Sequence, residues 1–556
     1  MRRLLRHAPL PLLTNPTTRG RRPLAALAGV ALVSLLLSAC GASSQADKPS
    51  SGRSPVSGGK LVELVTSLGT SWQQQDVYSW YDAQVWAQLV ETLVYVDDKG
   101  KVEPWLATSW KVGDHGLRYD LTIKKGVTFS DGTPLTARVV ADNLNLLGLG
   151  DDARGIGRLS GFPTGYVGAK DIGNSVVRVT LSEPDSGFLP TLGYFQAGIL
   201  APKTIDASRE SQAKLENVIG TGPFVLDSYT PEKQIVLKRR TGYDWPHEGA
   251  SHAGAAYLDT VTFRTVAEDS VRLGALTSGQ ADVIHYVQPS EEAGLESKGF
   301  KVVVAQYLSG ADGLELRPSA AIVDDVDVRR AIQHGIDRKE LIDTVFSRNW
   351  SAATSILTPS VPGWVDLSDD LKFDPALSKQ LLDKAGWGTI GADGIRTKDG
   401  RPLSLVVYPS PYQNTSSAEI QLVAQQLKEV GIKLDIRQSD FSSYQAAIKS
   451  DALPIQETHY SVLDPDYLYS WYGAKNENRL RANDAKLDEL LRKLAVTPAS
   501  AEKDRYTEQA QRYLIDQAYF IPLENPSQVY AMSSKVHNFV TNGVGRPFFY
   551  EAWLAS

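Results

Sequence analysis

LSLVVYPSPYQNTSSAEIQLVAQQLKEVGIKLDI, residues 403–436, carries two periodicities in one run. Leu403, Leu405 and Val407 alternate with their neighbours, the two-residue period of a half-buried strand. After the polar loop PSPYQNTSS, Ile420, Val423, Ala424, Leu427 and Val430 recur at helical spacing. Gly431 stops that helix, and Ile432, Leu434 and Ile436 return to alternation. A strand, a helix and a strand of these lengths form a βαβ unit, whose two strands run parallel. The chain is therefore of α/β character.

The same punctuation recurs elsewhere. In DPALSKQLLDKAGW, Asp374 is the N-cap, Pro375 takes the first helical position and Gly386 ends the helix. In IDRKELIDTVF, Asp337 and Glu340 have capping-box spacing. DSVRLGALTSGQADVI reads as a helix running to Gly279 and then a strand. Helices and strands are mixed throughout, and no internal repeat is visible.

The N-terminus sets the compartment. Arg2, Arg3, Arg6, Arg19, Arg21 and Arg22 precede an apolar run from Leu24 to Ala39 that is short for a membrane span. Leu37-Ser38-Ala39-Cys40 follows the pattern of a bacterial lipobox, so residues 1–39 read as a signal peptide and Cys40 as the lipidated residue. Cys40 is the only cysteine of the 556 residues, which leaves no disulfide to the folded part. Arg21-Arg22 also permits a twin-arginine reading, which Pro23 weakens. Residues 40–59, rich in Ser, Gly, Pro and Ala, cannot build a core and are expected to form a flexible tether.

Roughly 495 residues remain, too many for one hydrophobic core, which implies two or three domains. With 42% hydrophobic and 22% charged residues, the full sequence has the composition of a globular protein. Without the leader's six arginines the 58 basic residues fall to 52 against 64 acids, a net charge of -12. That sign repels phosphate backbones and argues against a nucleic-acid partner.

Catalytic motifs are missing. The chain has no G-x-S-x-G and no G-x-x-x-x-G-K-[ST]. His247 and His252 in HEGASH stand one residue too far apart for a zincin pair on one helix face. Ser211 and Lys214 fit S-x-x-K, a pattern that chance supplies, and its partner motifs are absent. No histidine cluster indicates a metal, and neither a cofactor nor catalysis is expected.

EPWLATSWKV (103–112), YDLTIKKGVTFSDGTPLTARVVADNLN (119–145), IGTGPFVLDSY (219–229), VRLGALTSGQADVI (271–284), DVRRAIQHGIDRKELI (327–342) and LLDKAGW (381–387) occur in this order. Together they resemble extracellular solute-binding protein family 5, the peptide/nickel/opine class of ABC-importer receptors, over about residues 60–550. The most specific piece is GVTFSDGTPLTA: a hairpin, a tight Asp131-Gly132 turn and a helix starting near Thr136. These motifs are scaffold and say little about ligand choice. The resemblance implies a two-lobed periplasmic-binding-protein-like clamshell. Lobe I would comprise 60–306 plus 525–556, with an inserted subdomain at about 95–188 containing SDGT. Lobe II would comprise 307–524. Crossings near QYLSGAD and FIPLEN would form the hinge.

In open α/β lobes, ligands bind beyond the carboxyl ends of strands. Tyr412 and Asn414 therefore either face the cleft or belong to an ordinary polar turn. The stretch ETHYSVLDPDYLYSWYG, 457–473, is dense in aromatics and acids. The family's peptide binders carry an Asp here that pairs with the ligand's α-amino group, shortly before a D-P-D-like turn. In this chain the turn is Asp464-Pro465-Asp466 and the pairing position falls on Ser461. That departure argues against a free peptide N-terminus unless Asp464 takes the role. His459 and Tyr460 would line the pocket, and Trp471 and Tyr472 would stack on ligand or fill the lobe core. GTSWQQQDVYSWY, with Trp72, Tyr78 and Trp80, matches a loop that approaches the cleft in the family, and Tyr307, at the first crossing, completes the expected set.

The implied function is a lipid-anchored, extracytoplasmic receptor, expected to be a monomer. It captures a peptide or similar small organic solute by hinge closure and hands it to an ABC permease with its ATPase. A micromolar ligand supplies about -8 kcal/mol, enough to close a hinge that favours openness by a few. The other readings are a solute sensor or chaperone of the same fold, which genes for permeases and ATPases alongside would argue against, and a secreted hydrolase, for which no nucleophile or metal motif is present.

Overall fold

The strand–helix–strand run forms as the spacing predicts in the computed structural model, which describes residues 54–555 apart from Tyr412, Asn414, Tyr460 and the side chain of Phe441. Strands Ser404–Val407 and Lys433–Ile436 pair in parallel, Leu405 opposite Leu434, with the helix Ser416–Glu429 between them. Leu403, Leu405, Val407, Ile420, Val423, Leu427, Ile432 and Leu434 are all buried in one core with Val328, Ile332 and Leu341. Gly431 turns the chain at φ 90°, and a Cβ there would stand 2.6 Å from Arg396 Cγ. Only glycine meets both demands.

The predicted caps are largely in place. Asp374 accepts from Leu377 N at 2.8 Å ahead of the helix Pro375–Lys384. Asp337 accepts from Glu340 N at 3.0 Å, but the return bond of the capping box is replaced. Gln426, from the helix Ser416–Glu429, takes Asp337 N at 3.1 Å and donates to Glu340 at 2.8 Å. A tertiary contact supplies there what the local motif would have supplied. Gly132 closes its turn at φ 88°, and Thr136 caps the helix Ala137–Leu149.

Two sheets organise the rest. A seven-stranded sheet runs in the order Lys301–Gln306, Ser527–Met532, Val283–His285, Lys60–Val65, Thr260–Thr265, Gln234–Arg239 and Phe224–Thr230. Gly58 and Gly59, expected in the tether, are already tied to this sheet's rim through Tyr257 and Asp259. A four-stranded sheet runs Ser351–Ala352, Phe520–Asn525, Asp312–Leu316 and Ile455–Thr458. The chain passes from the first sheet to the second over residues 307–311, and returns at Pro526. A separate antiparallel sheet, Ala107–Gly113, Arg118–Ile123, Val176–Leu181 and Tyr166–Asp171, packs on the helix Ala137–Leu149 and shares the large core. Among the described residues no helix is long and apolar enough to cross a membrane.

Candidate functional site

A cavity of about 810 Å³ opens beside the two crossings. One wall comes from segments of the seven-stranded sheet and its flanking loops: Tyr78, Trp80, Tyr81, Tyr286, Gln528 and Arg546. The other comes from the four-stranded sheet and the segments after it: Gln456, Glu457, His459, Ser461 and Trp471. Tyr307, in the first crossing, lies between them and is 4% exposed. A volume of this size is usual for a small-molecule site.

The first wall is an aromatic stack with little freedom. Trp80 donates Nε1–H to Tyr530 at 3.0 Å, and its ring stacks with His285 at 5.7 Å and tilts against Tyr307 at 5.6 Å. His285 is itself stacked on Tyr286 and Tyr530, and burial lowers its pKa to about 3, so this imidazole is neutral.

The second wall carries buried acids around one histidine. His459 Nδ1 lies 2.8 Å from Asp312 Oδ2, and Nε2 3.3 Å from Glu457 Oε1. Burial disfavours the imidazolium, but the attraction of Asp312 and then Glu457 outweighs it and holds the His459 pKa well above its ordinary value. Glu457 is fixed in turn by Ser410 N at 2.7 Å and Ser416 Oγ at 2.5 Å. Behind it, strand register sets Glu524 opposite Asp312, and burial together with the Asp312 charge pushes Glu524 up to about 8. Glu419 is raised well above the carboxylate range by burial and then by Glu524. Asp312, His459 and Glu524 bring oxygen and nitrogen atoms within 4.8 Å of one another, the one such grouping among the described residues. The 2.8 Å contact is an ion-pair separation, and the raised His459 pKa favours a positive charge among the carboxylates.

A second cavity of about 360 Å³ shares Tyr78, Ser461, Trp471 and Arg479 with the first and continues to Asp464 and Asp185. Here the expected role of Asp464 meets a competitor. Its carboxylate lies 2.8 Å from the buried Lys503 ammonium, which also contacts Asp466 at 3.1 Å. Asp466 accepts from Ser186 Oγ at 2.5 Å, and burial followed by the Asp464 charge raises Asp185 to about 6. An internal cation thus occupies the acid expected to await a ligand amine.

The expected residues separate accordingly. Tyr78, Tyr307, His459, Ser461 and Trp471 line the large cavity, and Asp464 lines the smaller one. Trp471 lies under the Arg479 guanidinium at 4.4 Å. Trp72, expected at the ligand, is 1% exposed, sits in the large core and lines neither cavity; burying an indole this completely is packing. Tyr472 is also core, its hydroxyl 3.0 Å from Glu315. Cys40, Tyr412, Asn414 and Tyr460 lie outside the described residues. His247 and His252 stack on Tyr95 and Tyr550 respectively, each in its own aromatic packing. Trp80 lines the large cavity as its loop was expected to, whereas Tyr286, Asp312, Glu457 and Arg546 were not legible as site residues. Asp312 lies within the QYLSGAD crossing, but Arg546 follows a glycine-rich turn with no local pattern to single it out.

Comparison with known proteins places this architecture. The model of the bacterial extracellular solute-binding proteins, family 5, matches residues 101–479. The glutathione-binding protein GsiB of Escherichia coli is 24% identical over 500 residues, 86% of this chain and 91% of the relative. The periplasmic binding protein DppA of Helicobacter pylori, solved with the peptide STSA, superposes with a TM-score of 0.74 at 22% identity, covering 90% of this chain and 99% of its own. NikA of Brucella suis, solved with Fe(III)-EDTA, gives 0.75 at 21% identity over 89% of this chain and all of its own. These neighbours establish a two-lobed α/β fold, and the chain belongs to the bacterial extracellular solute-binding proteins of family 5.

Proposed function

We propose that this protein is the lipid-anchored, extracytoplasmic receptor of an ABC importer, and that it captures a peptide or a similarly sized organic solute. The observation that carries the reading is the large cavity. It lies between two sheets joined by only two strand crossings, with an aromatic wall facing a wall of buried charge. Relatives that bind glutathione, a tetrapeptide or a metal chelate agree with a small polar organic ligand.

Residues 307–311 and Pro526 act as the hinge, with lobe I formed by 60–306 plus 525–556 and lobe II by 307–524. The ligand contributes by binding the closed form better than the open one, since equal affinity for both would shift nothing. Trp471 and Tyr78 offer ring faces, and Ser461 offers polar atoms, at the closing edge. Cys40 bears the lipid that holds the receptor at the membrane.

Native mass spectrometry of protein purified without refolding tests the reading, because a closed cleft retains its ligand. A bound small molecule is expected, whose removal enlarges the radius of gyration in X-ray scattering and whose return restores it. Chemical turnover of that molecule, or a scattering profile indifferent to it, would refute the proposal. A Cys40→Ser variant is expected to leave the membrane fraction.

A further inference from the structure

Among the described residues, no carboxylate answers the charge of Arg546. This arginine is 3% exposed and lines the large cavity. Its Nε and Nη1 are buried without a hydrogen-bond acceptor. Other arginines near this cavity are provided for. Arg317 donates to the Ser450 and Ile448 carbonyls, Arg479 pairs with Glu315, and Arg481 pairs with Asp451. Arg338, also buried, donates elsewhere to the carbonyls of Pro522 and Leu371. A guanidinium cannot shed its proton to escape burial, so an unmet one destabilises the empty protein.

The surroundings hold Arg546 in that state. Its guanidinium carbon lies 4.6 Å from the Trp80 ring centroid and 4.4 Å from that of Phe195. Such contacts give the guanidinium ring faces but no hydrogen-bond acceptor. The backbone is held by Asn542, whose side chain accepts from Val544 N and Arg546 N, and by Gly545 at φ 76°, whose carbonyl accepts from Tyr530. Tyr530 also receives the Trp80 N–H, so slot and turn form one unit. A rigid, desolvated guanidinium on the cavity lining, with N–H donors unmet, suits an anionic acceptor from a ligand.

We propose that Arg546 is a ligand-carboxylate subsite, and that the solute carries one carboxylate seated on this arginine in the slot of Trp80 and Phe195. The proposal rests on the receptor reading and names the ligand class within it. One unanswered cation matches a monoanion rather than a polyanion, which the net charge of -12 would also repel. Glu457 and His459 across the cavity then face the cationic or polar remainder of a zwitterion.

Calorimetry on the purified, ligand-stripped protein tests this with a tripeptide mixture bearing free C-termini, the same mixture amidated, and acetate, succinate and citrate as non-peptide carboxylates. Wild type is expected to bind the free acids about 30-fold more tightly than the amides, the usual scale for losing one partner of a desolvated charge pair. Arg546→Gln should lose that discrimination, and Arg546→Lys should keep part of it. The empty Arg546→Gln protein should melt no lower than wild type, because an unpaired buried charge has been removed. Equal binding of acids and amides by wild type overturns the subsite, as does discrimination that survives Arg546→Gln. A lower melting temperature with unchanged carboxylate affinity would make Arg546 a stacking residue instead. Binding of small carboxylates alone, still dependent on Arg546, keeps the subsite and refutes the peptide part of the receptor reading. Binding of no carboxylate refutes the subsite.

Discussion

The Asp464 carboxylate lies 2.8 Å from the Lys503 ammonium, and both groups are largely withdrawn from water. With Asp466 and Asp185 alongside, three acids share this one cation. The arrangement makes Lys503 the keystone of the segment 464–466.

Lys503→Met should therefore be far more damaging than Asp464→Asn. Removing the cation strands buried carboxylates, a loss of about 3–5 kcal/mol, whereas Asp464→Asn leaves Lys503 its contact with Asp466. Urea unfolding of both variants measures this. Equal losses would mean that Asp464 carries the pair alone.

Trp72 and Trp471 should part company. Trp72→Ala opens a hole in the large core and should lower unfolding stability by about 3–5 kcal/mol. Trp471→Ala removes a ring from the lining of both cavities and should weaken ligand binding while the melting temperature changes little. Calorimetry beside thermal melts separates the two.

Stability should fall as the pH rises through neutrality. Glu91, fully buried, has its pKa raised by burial to about 8 against an ordinary 4.5, even though Tyr243 at 2.6 Å and Trp245 at 3.0 Å donate to it. The folded protein thus holds a proton that the unfolded chain releases earlier, and the stability it confers is complete below 4.5 and lost as the pH climbs towards about 8. One group contributes a slope of up to about 1.4 kcal/mol per pH unit. Glu91→Gln should flatten the melting-temperature profile over that range; an unchanged profile would contradict the assignment.

Gly431→Ala tests the parallel strand–helix–strand unit of residues 403–436. The left-handed backbone alone disfavours a side chain by about 1–2 kcal/mol, and the new Cβ would also press on Arg396 Cγ. A shift of the urea midpoint to lower concentration is expected. Gly132→Ala, with open space around its Cβ, should show only the backbone part.

Local chemistry was readable along the chain because it acts over a few residues. The alternation at 403–407, the helical spacing at 420–430, the turn at Gly431 and the cap at Asp374 each depend on near neighbours, and each forms as read. The capping box at Asp337 failed at the point where a residue 86 positions beyond Glu340 competed for its bonds. Residue type also said that 457–473 was rich in aromatics and acids, but not which of them would be free. Lys503 lies 39 residues from Asp464, Glu524 lies 212 from Asp312, and Trp80 lies more than 460 from Arg546. Whether a charge finds a counter-charge, and whether a ring faces a cavity or the core, depends on which distant segments the fold brings together. Burial then makes that difference large, since a low dielectric amplifies both a met charge and an unmet one. Composition and spacing thus settled the class of fold, whereas the spatial closure of the chain settled that Trp72 is packing, that Asp464 is spoken for and that Arg546 is not.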